Sequence, residues 1–293
     1  MAVNPDDLLV LLAVARLGRF TAAADVLGVN HTTVSRRLAA LEREIGGRAL
    51  VQTSGGWELT DLGRQMLVVA EQIERSMQSL AASISGTEQV GGTVRVASPD
   101  GFAIHGVVPA AAALRSQHPL IDCELIAATQ RLRTHRSGVD IEVVVSKPKV
   151  QRAVAVHLGD YGLGLYATAQ YLDLAGTPER IGDLADHPLN YYIESALQVD
   201  ELDEATQRLP EPKGNIASTS VFAQIEATRL SAGIGLVPTY MARKHPELIR
   251  VLPDFHHDLA YWAVMREESR RSRPTQLMLT ELVRVGQVIT RSG

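Results

Sequence analysis

Between Phe20 and Ile45 the apolar positions read as a short helix, a tight turn at Gly28 and a second helix. Val34, Leu38, Leu41 and Ile45 recur at steps of 4, 3 and 4, one buried stripe at helical period. Thr21 is placed to cap the shorter helix, Ala22 to Leu27 to form it, and Gly28 to end it in the left-handed conformation. Asn30 or His31 opens the second helix. Upstream, Asn4, Pro5, Asp6 and Asp7 form a helix start, with Leu8, Leu11, Leu12 and Ala15 as the buried face and Gly18 as the stop. After Gly46-Gly47 ends the second helix, Leu50 to Thr60 predicts a hairpin turning at Gly55-Gly56. Three helices and a hairpin make a winged helix-turn-helix.

Leu62, Met66, Val69, Ile73, Met77, Leu80 and Ile84 then step by 4, 3, 4, 4, 3 and 4, predicting an amphipathic helix of about 25 residues. Its seam, centred on Met66, Val69, Ile73, Met77 and Leu80, is narrow enough to pair with another helix; the alternative is a helix lying on its own domain. Glu71, Gln72, Glu74, Arg75 and Gln78 keep the rest wet, Gly86 closes it, and Gly86 to Gly92 is a hinge.

From Thr93 the pattern changes. Thr93–Ala97, Asp122–Ala127 and Ile141–Val145 predict strands, with helical character over His105–Gln117 interrupted by Pro109. A second cycle starts near Gly162 with a strand at Leu163–Ala167 and a helix at Val221–Ala232. Leu259–Met265 is a returning strand and Pro274–Ile289 a last helix. This alternation implies a mostly parallel sheet with helices on both faces.

The 293 residues allow about two domains, and 45% hydrophobic with 21% charged residues describes an ordinary globular chain. The net charge of −4 excludes polyanion binding by bulk electrostatics, so nucleic-acid contact has to come from a local patch. Cys123 is the single cysteine, which excludes an internal disulfide, and its apolar neighbours suggest a buried strand thiol. MAVNPDD lacks the lysine or arginine of a signal peptide, and no apolar run is long enough to span a membrane; a cytoplasmic location is expected. The histidines are scattered without metal-ligand spacing, and no nucleophile elbow or Walker loop occurs, so neither metal, cofactor nor enzymatic chemistry is expected.

The outer face of the second helix carries Thr32, Thr33, Ser35, Arg36 and Arg37, the residue types that contact base edges and phosphates. Leu12, Ala15, Gly18, Phe20-Thr21-Ala22-Ala23-Ala24, Leu27, Val34-Ser35-Arg36, Leu41-Glu42, Gly46, Leu59-Thr60 and Gly63 together resemble the DNA-binding region of LysR-type transcriptional regulators. The resemblance implies DNA contacts from His31, Thr32, Thr33, Ser35, Arg36 and Arg37. His31 stands where the family most often has glutamine, which alters base preference or merely caps the helix. Two departures weaken phosphate contact: Ala49-Leu50-Val51-Gln52 replaces a Phe-x-Arg pattern, and the wing carries Trp57 and Glu58 rather than arginine. Residues 1–64 hold seven basic and seven acidic side chains, so modest affinity leaning on dimerisation is expected.

Ala232-Gly233-Ile234-Gly235-Leu236-Val237-Pro238 resembles the second-lobe signature of the same family. The implied fold is α/β with an N-terminal all-α winged helix-turn-helix and a two-lobed, periplasmic-binding-protein-like C-terminal domain. The expected divisions are 1–60 for DNA binding, 61–91 for the dimerisation helix and hinge, and 92–293 for the effector domain. Within the last, lobe I covers about 92–160 and 259–293, and lobe II about 161–258. In such folds ligands bind beyond the carboxyl ends of strands. That nominates Ser98, Thr129, Arg131, Ser218 and Thr219 for a small-molecule effector, although each hydroxyl alone reads more readily as a helix cap. Arg131, Arg133 and His135 suit an anionic effector or form a solvated basic loop, and Asp140 orders the turn after Ser137-Gly138. The partners implied are operator DNA, the effector and a second copy of the chain, with no membrane. Two rivals remain: a solute-binding protein, and a DNA-binding protein whose C-terminal domain only oligomerises.

Overall fold

The structure is a computed structural model describing residues 3–53, 56–84, 90–127, 138–148, 153–193 and 200–291. They form two compact units, one built mainly on residues 1–91 and the other mainly on residues 92–293.

In the first unit, α1 (Pro5–Leu17) begins with the Asn4 side chain accepting from the Asp6 amide and ends at Gly18, φ 67°. Next comes α2 (Phe20–Leu27), which ends at Gly28, φ 64°. Thr21 does not cap it; only Arg19 separates Phe20 from Gly18, so Arg19 takes the cap position without a side-chain bond. The third helix, α3 (His31–Ile45), is capped by Asn30, leaving His31 as its first helical residue. Leu8, Leu11, Leu12, Ala23, Ala24, Val34, Leu38 and Leu41 meet in one core, where each buried leucine contributes about 2 kcal/mol.

The wing is β1 (Leu50–Thr53) antiparallel to β2 (Gly56–Leu59), with Leu50 opposite Leu59. Trp57 N donates to Gly18 O at 3.0 Å, tying the hairpin to the end of α1. Thr60 then starts α4 (Asp61–Ile84): its Oγ1 donates to Arg48 O at 2.6 Å and accepts from Gly63 N at 3.1 Å. Gly63 lies so close to the Ala49 carbonyl that a Cβ there would collide with it.

Gly63, Leu67, Ala70 and Glu71 of α4 are buried, and the helix packs on α1. Glu71 was expected among the wet positions, yet it lies on this inner face one step from Ala70. Glu74 likewise turns inward, its carboxylate held by both terminal nitrogens of Arg16 at 2.7 Å.

The second unit is organised on one mixed sheet of nine strands. Its path runs β4 (Ile121–Ala127), β3 (Gly92–Ser98), β5 (Ile141–Val145), β11 (His257–Met265), β6 (Val154–Thr168), β9 (Ile234–Pro238), β7 (Leu189–Tyr192), β8 (Asn215–Ser218), with β10 (Leu248–Val251) also on β6. Each end of the sheet is parallel, but β11 and β6 pair antiparallel with each other and with their neighbours. The mostly parallel expectation is therefore corrected, because the strands crossing between lobes run in opposite directions. The strand expected at Leu163–Ala167 is the second half of β6, so no break separates it from the residues before it.

Pro109 does not interrupt a helix. A π-helical turn at Ala103–Val107 precedes the helix Val108–Gln117, and Pro109 sits in that helix's first turn, where its missing N–H costs nothing. Cys123 is half-buried rather than buried, because β4 is an edge strand.

Candidate nucleic-acid interface and effector cleft

Burying Val34, Leu38 and Leu41 turns the opposite side of α3 outward. His31, Thr32, Ser35 and Arg36 are exposed there, and Thr33 is half-buried. Asn30 Oδ1 accepts three bonds, from Thr33 N at 2.8 Å, Thr33 Oγ1 at 2.8 Å and Thr32 Oγ1 at 2.6 Å. Both threonine hydroxyls thus donate to the cap and keep their acceptor lone pairs for an outside donor. Arg36 makes no ion pair or hydrogen bond among the described residues, so its fork is free for a phosphate or a guanine edge.

Arg37 is placed differently. Its guanidinium lies 3.9 Å from both Asp6 and Asp7 at the start of α1. It braces α3 against α1 and stands apart from the four outward residues. Glu42 anchors the other end, accepting from Ala49 N at 2.9 Å and Leu50 N at 3.3 Å. Trp57, expected only as a departure in the wing, stacks on Phe20 with ring centroids 4.6 Å apart and planes 14° apart.

The α4 seam divides. Met66 and Ile73 pack partly against the helix-turn-helix core, whereas Val69 and Met77 are 47% and 54% exposed. The side chain of Leu80 lies outside the described residues.

In the second unit, the Ser98 hydroxyl is buried and donates to Pro99 O at 3.1 Å, so it serves its own turn. Ser218 Oγ accepts from Ser220 N at 3.1 Å, Gln224 Nε2 donates to Ser218 O at 2.9 Å, and Thr219 is half-buried beside them. Thr129, Arg131, Arg133 and His135 lie outside the described residues. Ser220, the last residue of the expected Ser218–Ser220 loop, and Asp100, which was not expected, connect the loops: Ser220 Oγ donates to Asp100 Oδ2 at 2.6 Å, and Asp100 Oδ1 accepts from Gly101 N at 2.8 Å. Ser220 directly precedes the helix Val221–Arg229, a cap position legible in sequence; nothing local marked Asp100 as its partner.

Behind this link lies an aromatic wall. Tyr161 and Tyr261 stack at 4.3 Å, Phe102 meets Tyr261 at 4.5 Å, and the Tyr240 and Tyr261 hydroxyls are 3.2 Å apart. Burial pushes all three phenols up, keeping them neutral. At the rim, Lys244 Nζ lies 3.2 Å from His105 Nδ1, and His105 is held below its ordinary value first by burial, then by Lys244 and His245.

Among the described residues no group of His, Cys, Asp or Glu could hold a metal ion, and no helix is long and apolar enough to cross a membrane.

Residues 5–64 match the family of bacterial regulatory helix-turn-helix proteins of the lysR type, and residues 87–287 match the LysR substrate binding domain. The chain is 25% identical over 275 residues to the HTH-type transcriptional regulator DmlR of Escherichia coli K12, covering 88% of this chain and 87% of that protein. Among solved structures, ArgP from Mycobacterium tuberculosis superposes with a TM-score of 0.73 at 20% identity, covering 98% of each chain. Full-length LysG from Corynebacterium glutamicum, with bound effector Arg, gives 0.67 at 21% identity, covering 97% of this chain and 98% of that one. With a regulatory helix-turn-helix in front and a substrate-binding domain behind, the chain belongs to the LysR family of DNA-binding transcriptional regulators.

Proposed function

We propose that the protein is a cytoplasmic regulator that docks α3 in the major groove of an operator and is modulated by a small molecule held between the lobes of its C-terminal domain. The observation that carries the DNA contact is the outward face of α3, with Arg36 unpaired beside His31, Thr32 and Ser35. Thr33 supports the helix start and Arg37 the docking of α3 on α1. Residues 1–60 form the DNA-binding part, 61–91 the pairing helix and hinge, and 92–293 the effector domain. Pairing through Val69 and Met77, with Met66, Ile73 and Leu80 flanking, brings two recognition helices to successive half-sites.

Effector control is supported by LysG, whose fold this chain shares and whose structure holds arginine as effector. We assign Ser218 and Thr219 to the proposed site, together with the sequence candidates Thr129 and Arg131. Such control requires the effector to bind two arrangements of the protein with different affinity.

The test is fluorescence anisotropy of the full chain on DNA from upstream of its own gene, at several salt concentrations. Binding about a thousandfold tighter than to random DNA is expected. Arg36→Ala should weaken it about tenfold to a hundredfold with an unchanged melting temperature. Equal affinity for both DNAs in wild type and variant would refute the interface.

A further inference from the structure

The anionic effector expected from sequence rests on Arg131, Arg133 and His135, none of them among the described residues. The described loop after β3 carries an acidic side chain instead. Asp100 follows β3, the first strand, and its carboxylate already takes a backbone amide and the hydroxyl that opens the helix Val221–Arg229. These are the donors that a ligand carboxylate would need. Asp100 forms no ion pair among the described residues. Lys244 is turned to His105 instead.

The surroundings also suit a cation. A Cβ at Gly101, next to Asp100, would meet Val221 Cγ1 at 3.1 Å, Met241 Sδ at 3.2 Å and the Tyr240 hydroxyl at 3.5 Å, so uncharged groups surround the residue after the carboxylate. A carboxylate that takes two hydrogen bonds but no ion pair among the described residues, set in uncharged surroundings, recognises an ammonium group by a charge-assisted bond.

We propose that the effector carries an amine or another cationic group, and that Asp100 is the residue that reads it. This rests on the cleft being the effector site. A cationic group pairs with Asp100 and competes with Ser220 for Oδ2, which couples recognition to the bond between the β3 loop and the helix Val221–Arg229. A carboxylate entering the same place would face Asp100 at close range without a described counter-charge.

The experiment is a thermal-shift screen of the full chain against small amines, uncharged polyols and small carboxylates, repeated on Asp100→Asn and Ser220→Ala. Stabilising compounds should be amines, with affinity at least about tenfold weaker on Asp100→Asn, the loss expected when a charge-assisted bond goes. They should keep binding Ser220→Ala, which retains the carboxylate. Stabilisation of the wild type by carboxylates, or amines that bind Asp100→Asn undiminished, would overturn the proposal while leaving an effector site in place. Silence from every class on all three proteins would remove the effector reading, and the proposal with it.

Discussion

Phe20 and Trp57 stack face to face, so the first residue of α2 holds the tip-side strand of the wing. The bond from Trp57 N to Gly18 O fixes the same strand from its backbone. A residue that departs from the family's usual basic wing thus has a structural purpose here. Trp57→Ala should destabilise the N-terminal unit by about 2 kcal/mol, combining lost burial with lost ring stacking. Urea unfolding followed by circular dichroism would show it; an unchanged midpoint would mean the stack contributes nothing.

Arg37 should behave unlike Arg36. Its two 3.9 Å pairs with Asp6 and Asp7 are partly exposed, so screening leaves them worth about 0.5 kcal/mol. Arg37→Ala is expected to lower stability slightly and operator affinity less than Arg36→Ala does. Anisotropy on one operator ranks the two, and a larger affinity loss for Arg37→Ala would return it to the DNA face.

Asn30 and Gly63 guard the two ends of the recognition unit. Asn30→Ala removes an acceptor for three donors and should cost about 1–2 kcal/mol, with amide exchange accelerated in the first turn of α3. Gly63→Ala puts a methyl into the Ala49 carbonyl and should cost more, because that carbonyl is backbone and cannot swing aside as a side chain would. Differential scanning calorimetry orders them; equal melting temperatures would contradict the close approach.

The exposed half of the α4 seam gives a clean oligomer test. Val69→Glu and Met77→Glu should yield a smaller species by light scattering while leaving the fold intact. Ile73→Glu should also destabilise, since that side chain packs on the module's own core. An unchanged mass for Val69→Glu with Met77→Glu would exclude pairing through this face.

His105 should make the C-terminal unit acid-sensitive. Its folded value lies below the ordinary 6.5, so on acidification the unfolded chain takes up the proton first. Its contribution is complete above about pH 6.5 and is lost as pH falls through the folded value. The stability of wild type relative to His105→Gln should therefore drop as urea midpoints are measured at successively lower pH. A difference that does not vary with pH would remove His105 from the account.

The helices of the first unit were legible because local signals and the core agree. Asn4, Pro5, Gly18, Gly28 and Gly46 punctuate the chain where the structure places its ends. Arg37's turn toward α1 was hidden, since periodicity puts it on the same outer face as Arg36 and only tertiary packing separates them. The α4 seam was half legible: the stripe is real, but its flank at Met66 and Ile73 meets a core that helical spacing alone does not reveal. In the second unit the strands β3 and β5 declared themselves, whereas β7, β8 and β10 are short segments whose pairing is long-range. The Asp100–Ser220 bond joins residues 120 positions apart, beyond the reach of local pattern.

The antiparallel pairing of β6 with β11 has an architectural consequence. Leu163 faces His257 across the ladder, so the chain enters and leaves the segment between them through adjacent, hydrogen-bonded positions. Everything from Gly164 to His256 is therefore a loop-out from a closed gate, with its ends side by side. Such a segment can be exchanged as a cassette without re-threading the rest of the chain. One half of a ligand's surroundings is then free to diverge while the strands that bracket it stay fixed.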